Sequence, residues 1–329
     1  MKKWMVLILS LLLLLSTLSG CGAKAPAKAE DDLIVRVGAL KGPTSIGMVK
    51  LMDDAGQGKS QGKYDFHLAA MADELTPLLL KNELDIIAVP SNLGSTLYAN
   101  STGAVQVIAV NALGVLYITE KNGEAIQNIP DLKGQTILAT GKGTVTEYVL
   151  RYLLKENGLD PDSDVTLEWK SENAEIVTEM ATMEHAVAML PQPYVTVAQG
   201  QVENLRIALD LTAQWDALDN GSRLATASVI VRKAFAKEHP KAVENFLKEL
   251  NESVTYVNEN VEESAALCEQ FGITKAPVAQ KAIPYCNLVC ITGNEMKTDL
   301  EAFLNILYEE NPKAVGGAVP AEDYYLIYE

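Results

Sequence analysis

The sequence predicts an α/β protein with two mostly parallel β-sheets, each flanked by helices. Short runs rich in β-branched residues alternate with segments of helical period between residues 33 and 210, and strands separated by helices of this length are typical of parallel sheets. A unit of strand, small-residue loop and helix also occurs twice, at residues 33–52 and at residues 134–156. The two units indicate that each starts a separate sheet within one chain.

The elements follow in order from their own patterns. The first strand–loop–helix unit has its strand at residues 33–40, its loop at residues 41–45 and its helix at residues 46–52. The second has its strand at residues 134–140, its loop at residues 141–144 and its helix at residues 145–156. Alternating or apolar β-branched runs predict further strands at residues 66–70, 85–89, 105–110, 165–169, 186–190, 205–210 and 224–231. Helical spacing of apolar residues predicts helices at residues 75–81, 91–98, 174–183, 194–200, 240–258, 261–270, 278–282 and 295–309. Helices dominate after residue 224, and the tyrosine-rich tail after Gly316 is irregular.

The chain begins with the features of an export signal. Lys2 and Lys3 precede an almost unbroken apolar run at residues 4–15, which is shorter than the roughly 20 residues of a transmembrane helix. Small residues then stand directly before Cys21 in the tetrapeptide at residues 18–21 (LSGC). This tetrapeptide resembles the bacterial lipobox, whose cysteine is lipidated. The alternative is an ordinary secretory signal that happens to precede a cysteine.

We therefore expect a signal peptide at residues 1–20, a lipidated Cys21 and a flexible tether at residues 21–32, which is small, charged and proline-containing. A lipid anchor holds a protein at the bilayer without spanning it, and no later stretch reaches transmembrane length. The expected location is thus the extracytoplasmic face of the cell membrane. Loss of two lysines with the signal takes the net charge from −16 to −18, which argues against nucleic acid as a partner.

The loops that follow strands supply the candidate binding residues. In open α/β sheets ligands bind in a crevice at the carboxyl ends of the strands, where helix N-termini can hold an anion. Thr44 and Ser45 head the first such helix, and Gly143 and Thr144 head the corresponding helix of the second sheet. The alternative for both threonines is that they only cap their helices, at about 1 kcal/mol each.

The same reasoning extends to other strand ends. Tyr194 is a candidate for stacking on a ligand ring, with half-buried packing as the alternative, and Lys41 is either a ligand contact or a solvated charge. Trp215 lies in a polar segment without apolar periodicity, so we predict a lid aromatic there. The complete set of predicted ligand-binding residues is Lys41, Thr44, Ser45, Ser91, Asn92, Asn111, Gly143, Thr144, Gln192, Tyr194 and Trp215.

Signals for an enzyme are poor. His67, His185 and His239 stand alone, with no HExxH motif or paired carboxylates around them. Gly58-Lys59-Ser60 resembles the end of a P-loop, but Asp53 stands where the first glycine is required. We expect no catalytic residue, no metal and no cofactor.

The three remaining cysteines leave two alternatives open. Cys286 and Cys290 are four residues apart with no histidine nearby, which is poor spacing for zinc. One disulfide is compatible with an exported protein, but the sequence does not select a pair among Cys268, Cys286 and Cys290. The alternative is three buried structural thiols.

Five segments, taken in order, carry a family resemblance: residues 73–90 (DELTPLLLKNELDIIAVP), 129–144 (IPDLKGQTILATGKGT), 158–161 (GLDP), 188–196 (AMLPQPYVT) and 228–240 (SVIVRKAFAKEHP). Together they resemble the periplasmic-binding-protein-like family that contains sulfonate, nitrate and thiamine-precursor receptors. The resemblance covers about residues 33–310. Related chains often carry an acidic residue where Gln192 stands, so this pocket is expected to prefer a neutral or anionic group there.

This resemblance implies a two-lobed fold of type II with a hinge of two crossovers. Lobe I would comprise residues 33–110 and 226–329, and lobe II residues 111–225. It also implies a monomeric solute-binding lipoprotein of an ABC importer, which closes on a sulfonate, vitamin precursor or similar small molecule and delivers it to an ABC permease. The alternatives are a solute-sensing receptor and a non-transport enzyme on the same fold.

Overall fold

The computed structural model describes residues 32–328. The predicted signal peptide, Cys21 and the tether up to residue 31 lie outside the described residues. Across residues 32–328, no helix combines the length and the apolar character that a membrane span requires.

Eleven strands lie within the described residues: β1 Ile34–Leu40, β2 Lys63–Ala69, β3 Ile86–Pro90, β4 Val105–Ala112, β5 Leu116–Lys121, β6 Thr136–Ala139, β7 Thr166–Trp169, β8 Ala186–Pro191, β9 Leu205–Asp210, β10 Ala227–Arg232 and β11 Leu288–Ile291. The α-helices are α1 Pro43–Ile46, α2 Val49–Gly56, α3 Ala72–Leu80, α4 Ser91–Asn100, α5 Val145–Glu156, α6 Asn173–Thr182, α7 Tyr194–Gln201, α8 Leu211–Asp216, α9 Lys233–Glu238, α10 Pro240–Glu259, α11 Val261–Gln270, α12 Ala276–Ala282 and α13 Gly293–Glu310.

The strands form two separate sheets. The first has the order β11-β4-β10-β3-β1-β2 and the second the order β7-β6-β8-β5-β9. In the first sheet β1 is parallel to β2 and β3, whereas β10 is antiparallel to both β3 and β4. In the second, β6 is parallel to β7 and β8, whereas β5 is antiparallel to β8 and β9. The predicted α/β fold class of two sheets flanked by helices is confirmed. Both sheets are mixed, because β10 and β11 in the first sheet and β5 in the second run opposite to the other strands.

The chain crosses between the two sheets twice, and the first strand after each crossing, β5 or β10, is antiparallel to its neighbours. β4 continues through residues 113–115 into β5, and β9 returns through α8 and residues 217–226 to β10. The two crossovers touch each other: a Cβ added to Gly114 would lie 2.0 Å from Thr212 Oγ1 and 2.8 Å from Leu224 Cδ2. Only glycine therefore fits at this crossing without a shift of its neighbours.

The C-terminal segment packs onto the first sheet and beyond it. Tyr324 is fully buried, Tyr325 forms an isolated bridge with Val107, and the Leu326 amide donates to the Val107 carbonyl at 3.0 Å. Ser95 Oγ donates to the Val315 carbonyl at 2.7 Å. The tail that is irregular in sequence is thus part of the core.

The structure departs from the predicted elements in one helix that is divided and in four elements that were not predicted. The helix predicted at residues 46–52 is divided into α1 and α2, because Gly47 ends the first turn as its C-cap. β5, β11, α8 and α9 were not predicted. The predicted bounds of α5, α11 and β9 match the observed ones.

Candidate functional site

The carboxyl ends of the strands of both sheets meet around one cavity of about 220 Å³. Residues 40–44 after β1, Pro90 at the end of β3 and Ala112 at the end of β4 line it from the first sheet. Residues 144–146 after β6 and residues 191–194 at the end of β8 line it from the second. This is the edge at which ligands bind in open α/β sheets.

The cavity differs in charge from the rest of the protein. The chain has a net charge of −16, yet none of the residues that line the cavity is Asp or Glu. Lys41 and Tyr194 are the ionisable residues of the lining. Lys41 is exposed, and the part of the chain that the structure describes gives it no ion-pair partner. Most of the lining is apolar, with Leu40, Val115 and Leu116 among its walls.

Helix α1, which follows β1, is a single turn of four residues. Thr44 lines the cavity, but its hydroxyl donates to the Leu40 carbonyl at 2.7 Å and caps no helix. Gly42 occupies the N-cap position at a φ of 147°, and the Ser45 hydroxyl donates to its carbonyl at 3.2 Å. Ser45 is fully buried and lies behind the lining.

At the N-terminus of α5 the threonine is a cap. Thr144 Oγ1 accepts from the Thr146 amide at 3.3 Å and donates to the Gly141 carbonyl at 2.6 Å. Gly143 is exposed, does not line the cavity, and donates its amide to Glu147 Oε2 at 2.7 Å. Thr144 does line the cavity, so capping and a place on the cavity wall occur together.

Three predicted residues lie just behind the lining. Asn111 Nδ2 donates to the Thr44 carbonyl at 3.1 Å. Asn92 Nδ2 donates to the Ala314 carbonyl at 3.1 Å, and its Oδ1 accepts from the Val145 amide at 3.3 Å. Ser91 is fully buried. The structure thus places Ser91, Asn92 and Asn111 as supports of the cavity wall.

Gln192 and Tyr194 form part of the second-sheet wall. Gln192 is 1% exposed, and its Oε1 accepts from the Thr196 hydroxyl at 3.0 Å. Tyr194 is half-buried at the first position of α7 and lines the cavity. Of the eleven predicted binding residues, the structure brings Lys41, Thr44, Thr144, Gln192 and Tyr194 together on the cavity surface.

A family model described as NMT1/THI5-like matches residues 84–264, more than half of the chain. The chain belongs to the NMT1/THI5-like family. No curated protein sequence matches it.

Solved structures share the two-lobed fold of this NMT1/THI5-like protein. An ABC transporter protein from Parabacteroides distasonis superposes with a TM-score of 0.75 at 22% identity, over 91% of this chain and 100% of that one. The periplasmic aliphatic sulphonate binding protein SsuA from Escherichia coli gives a TM-score of 0.71 at 17% identity, over 90% and 92%. The alkanesulfonate-binding protein SsuA from Xanthomonas axonopodis pv. citri, bound to MOPS, gives 0.66 at 15% identity, over 86% and 94%.

The prediction that Trp215 is a lid aromatic is wrong. The Trp215 side chain is fully buried and donates its Nε1–H to the Ser222 carbonyl at 3.0 Å. Its ring lies 4.9 Å from that of Tyr152 and 5.5 Å from that of Phe303, measured between centroids. The cause is α8, which turns Leu211 and Trp215 to the same inward face at i and i+4.

Three polar residues of the cavity wall were not predicted from the sequence: Thr146, Asn173 and Thr226. Asn173 is the first residue of α6 and follows β7, so the rule that selected Thr144 could have found it. Thr226 Oγ1 donates to the Leu113 carbonyl at 2.5 Å, which joins the two crossovers of this NMT1/THI5-like chain.

Cys268, Cys286 and Cys290 are free thiols. Burial raises the pKa of each thiol to about 12, so the three side chains are protonated and behave as small apolar groups. Within residues 32–328 no cluster of three or more His, Cys, Asp or Glu side chains is arranged to hold a metal ion.

Proposed function

We propose that this chain is the extracytoplasmic solute-binding lipoprotein of an ABC importer. Lobe I comprises residues 33–110 and 226–329, and lobe II comprises residues 111–225. The protein captures a small polar or anionic molecule between the lobes and delivers it to an ABC permease. The observation that carries the proposal is the cavity itself, which draws its walls from the strand ends of both sheets.

The connection between the sheets supports a hinge mechanism. Two crossovers join them, at residues 113–115 and residues 217–226. A rotation about these segments changes the separation of residues 40–44 from residues 191–194, which face the same cavity. A solute that contacts both walls binds the closed form better than the open one, and it therefore shifts the population toward closure.

The charge of the cavity supports an anionic or polar solute. No carboxylate lines it, and Lys41 is present at its edge. The N-terminus of α7 also opens on the cavity at Tyr194, and first-turn N–H groups lack acceptors within their own helix. Solved neighbours include binding proteins for aliphatic sulfonates. A sulfonate, a vitamin precursor or a similar compact molecule is the proposed class.

The lining favours a carrier over an enzyme on the same fold. General acid–base catalysis uses His most often, and also Glu, Asp, Lys, Tyr and Cys; the cavity lining contains Lys41 and Tyr194 but no His, Cys, Asp or Glu. A sensory receptor would share the same cavity and differ in its partner. Co-purification with a permease rather than with a kinase therefore separates these two functions.

The solute should both stabilise the protein and compact it. A ligand present at 100 times its Kd is expected to add about 2.7 kcal/mol to the free energy of unfolding, and hinge closure is expected to reduce the radius of gyration. A thermal-shift screen of alkanesulfonates, carboxylates and pyrimidines followed by solution X-ray scattering measures both effects. Ala227 lines the cavity, and Ala227→Phe, whose ring would fill part of it, should abolish both the stabilisation and the compaction. Stabilisation without compaction, or equal binding by Ala227→Phe, would contradict the hinge mechanism.

The proposed anchor has its own test. In a bacterial host grown with an alkyne-labelled palmitate analogue, the wild-type protein should incorporate the label and Cys21→Ala should not, because the thioether forms on this cysteine. Cys290→Ala serves as the control, since it removes a thiol outside the lipobox and should label as the wild type does. Label retained by Cys21→Ala would remove the lipoprotein claim while leaving the solute-binding claim in place.

A further inference from the structure

Two side-chain amides on the lobe II wall are held in the same way. Gln192 Oε1 accepts from the Thr196 hydroxyl at 3.0 Å, and Asn173 Oδ1 accepts from the Thr140 hydroxyl at 2.8 Å. Both amides line the cavity. They follow different strands, β8 and β7, so the arrangement occurs independently at two places on one wall.

In the structure the oxygen of each amide is turned toward the threonine hydroxyl, which can either donate or accept and here donates. A side-chain amide has one acceptor oxygen and one NH2 group with two donors. When a threonine hydroxyl in the wall donates to the oxygen, the NH2 group is the end left free. Within residues 32–328, neither Gln192 Nε2 nor Asn173 Nδ2 donates to a protein acceptor, although Gln192 is 1% exposed. A ligand acceptor in the cavity would give each NH2 group the hydrogen-bond partner that the protein does not supply.

Three of the hydroxyl groups that line the cavity do not compete for this role. Thr44, Thr144 and Thr226 direct their protons to the backbone carbonyls of Leu40, Gly141 and Leu113. The donors available to a ligand from the side chains that line the cavity are therefore the two amides, Lys41 and the hydroxyls of Thr146 and Tyr194.

We propose that Gln192 and Asn173 are ligand-binding donors that select an oxygen-acceptor head group, such as a carboxylate or another oxyanion, and reject a cationic one. Thr196 and Thr140 are positioning residues that hold each amide in the donating orientation. This proposal rests on the proposed function, because it assigns specificity to the same cavity. It adds which side chains read the head group and why their orientation is fixed.

The orientation has a test that needs no ligand. In side-chain ¹⁵N NMR of the full folded protein, the Gln192 Nε2 hydrogens should exchange with water rapidly, because no protein acceptor protects them. The reversed amide would donate to Thr196 Oγ1. Its hydrogens would be protected in the wild type and become exposed in Thr196→Val. Protection in the wild type that is lost in Thr196→Val overturns the proposed orientation.

Three probes of one shape test the selectivity: benzoate, benzamide and benzamidinium share a planar ring and differ in head-group charge and donors. By titration calorimetry, the wild type should bind benzoate most tightly and benzamidinium least. Gln192→Glu, which replaces NH2 by a carboxylate oxygen, should weaken benzoate binding about 10- to 100-fold, the range for loss of a hydrogen bond to a charged group. It should also make benzamidinium the preferred probe.

Further variants keep the test decisive. Gln192→Met removes the donor without adding a charge, and it should weaken benzoate if Gln192→Glu fails to fold. Thr196→Val should weaken benzoate about 3- to 10-fold, whereas Thr196→Ser, which keeps the hydroxyl, should restore it. Gln199→Glu adds the same charge on the exposed side of α7 and should change nothing.

The outcomes separate the two proposals. If benzoate binds and compacts the protein but Gln192→Glu and Thr196→Val leave the order of the three probes unchanged, the specificity proposal fails and the carrier function stands. A wild type that prefers benzamidinium overturns the specificity proposal as well. If no solute binds between the lobes in any form of the protein, the proposed function fails with it.

Discussion

Trp215→Ala is expected to destabilise the protein by about 3–5 kcal/mol, the range for removing a large aromatic side chain from a core. Trp215 is fully buried and contacts Tyr152 on α5 and Phe303 on α13. The indole therefore packs α8 against α5 and α13, and its loss leaves a cavity that these helices cannot fill without moving. Urea unfolding followed by circular dichroism measures the difference.

Two controls separate core packing from the lid role. Trp215→Phe keeps a ring in the same space and should cost less than half as much as the alanine variant. Trp169→Ala removes a half-buried tryptophan from the edge strand β7 and should cost less as well. A lid would give the opposite pattern, with unchanged stability and reduced solute affinity in Trp215→Ala.

The elements that could be predicted from the sequence are those whose pattern is complete within the segment. α5 has its apolar residues at helical spacing and Thr144 as N-cap, and both its ends match the prediction. β9 is likewise bounded correctly at Leu205–Asp210. In such segments local propensity and burial favour the same structure, so no distant partner is needed to recognise them.

β5 could not be recognised because its burial depends on residues far away in the chain. Leu116–Lys121 ends in Glu120 and Lys121, which read as solvent-facing, yet the whole strand is buried. Arg206 pairs with Glu120, and Lys121 Nζ donates to three backbone carbonyls at the end of α6, at 2.6–3.0 Å. These contacts offset the desolvation of both charges, and none of them is visible in residues 116–121 themselves.

The sequence was sufficient to predict which strand ends surround the candidate site. It was not sufficient to predict which side chains at those strand ends face the cavity. Lys41, Thr44 and Gln192 lie on the cavity surface, whereas Ser91 and Asn111, chosen by the same rule, lie one layer behind it. Which residues after a strand face the crevice depends on how the following helix is rotated, and tertiary packing sets that rotation. The threonine–amide contacts at Gln192 and Asn173 are of the same kind, since only the folded backbone brings their partners into register.

Asp85→Asn is expected to lower the free energy of unfolding at pH 7 by about 3 kcal/mol. Asp85 is 1% exposed and joins three strands: Arg36 on β1 donates to it at 2.7 and 2.8 Å, and Arg232 on β10 at 2.5 Å, beside the start of β3. Neutralising the carboxylate leaves two guanidinium groups without their counter-charge. Breaking a buried pair costs about 3–5 kcal/mol, and the lower end applies because the Arg36 side chain is 37% exposed to solvent.

The same carboxylate should make the effect depend on pH. Burial acts to raise the pKa of Asp85, but hydrogen bonds from Arg36 and Arg232 outweigh it and hold the pKa below its ordinary value. A depressed folded-state pKa contributes stability that is complete above the unfolded pKa of about 3.9 and is lost as the pH falls through the folded value. The difference between wild type and Asp85→Asn in urea unfolding should therefore be constant above about pH 5 and shrink below pH 4. The other carboxylates titrate in both proteins, so their contributions cancel in the difference between the two unfolding free energies.

Glu203→Gln changes an exposed carboxylate and serves as the control. Its unfolding free energy should differ from that of the wild type by less than about 0.5 kcal/mol at every pH. A difference for Asp85→Asn that persisted undiminished at low pH would mean that the shape of the side chain, and not its charge, joins these strands.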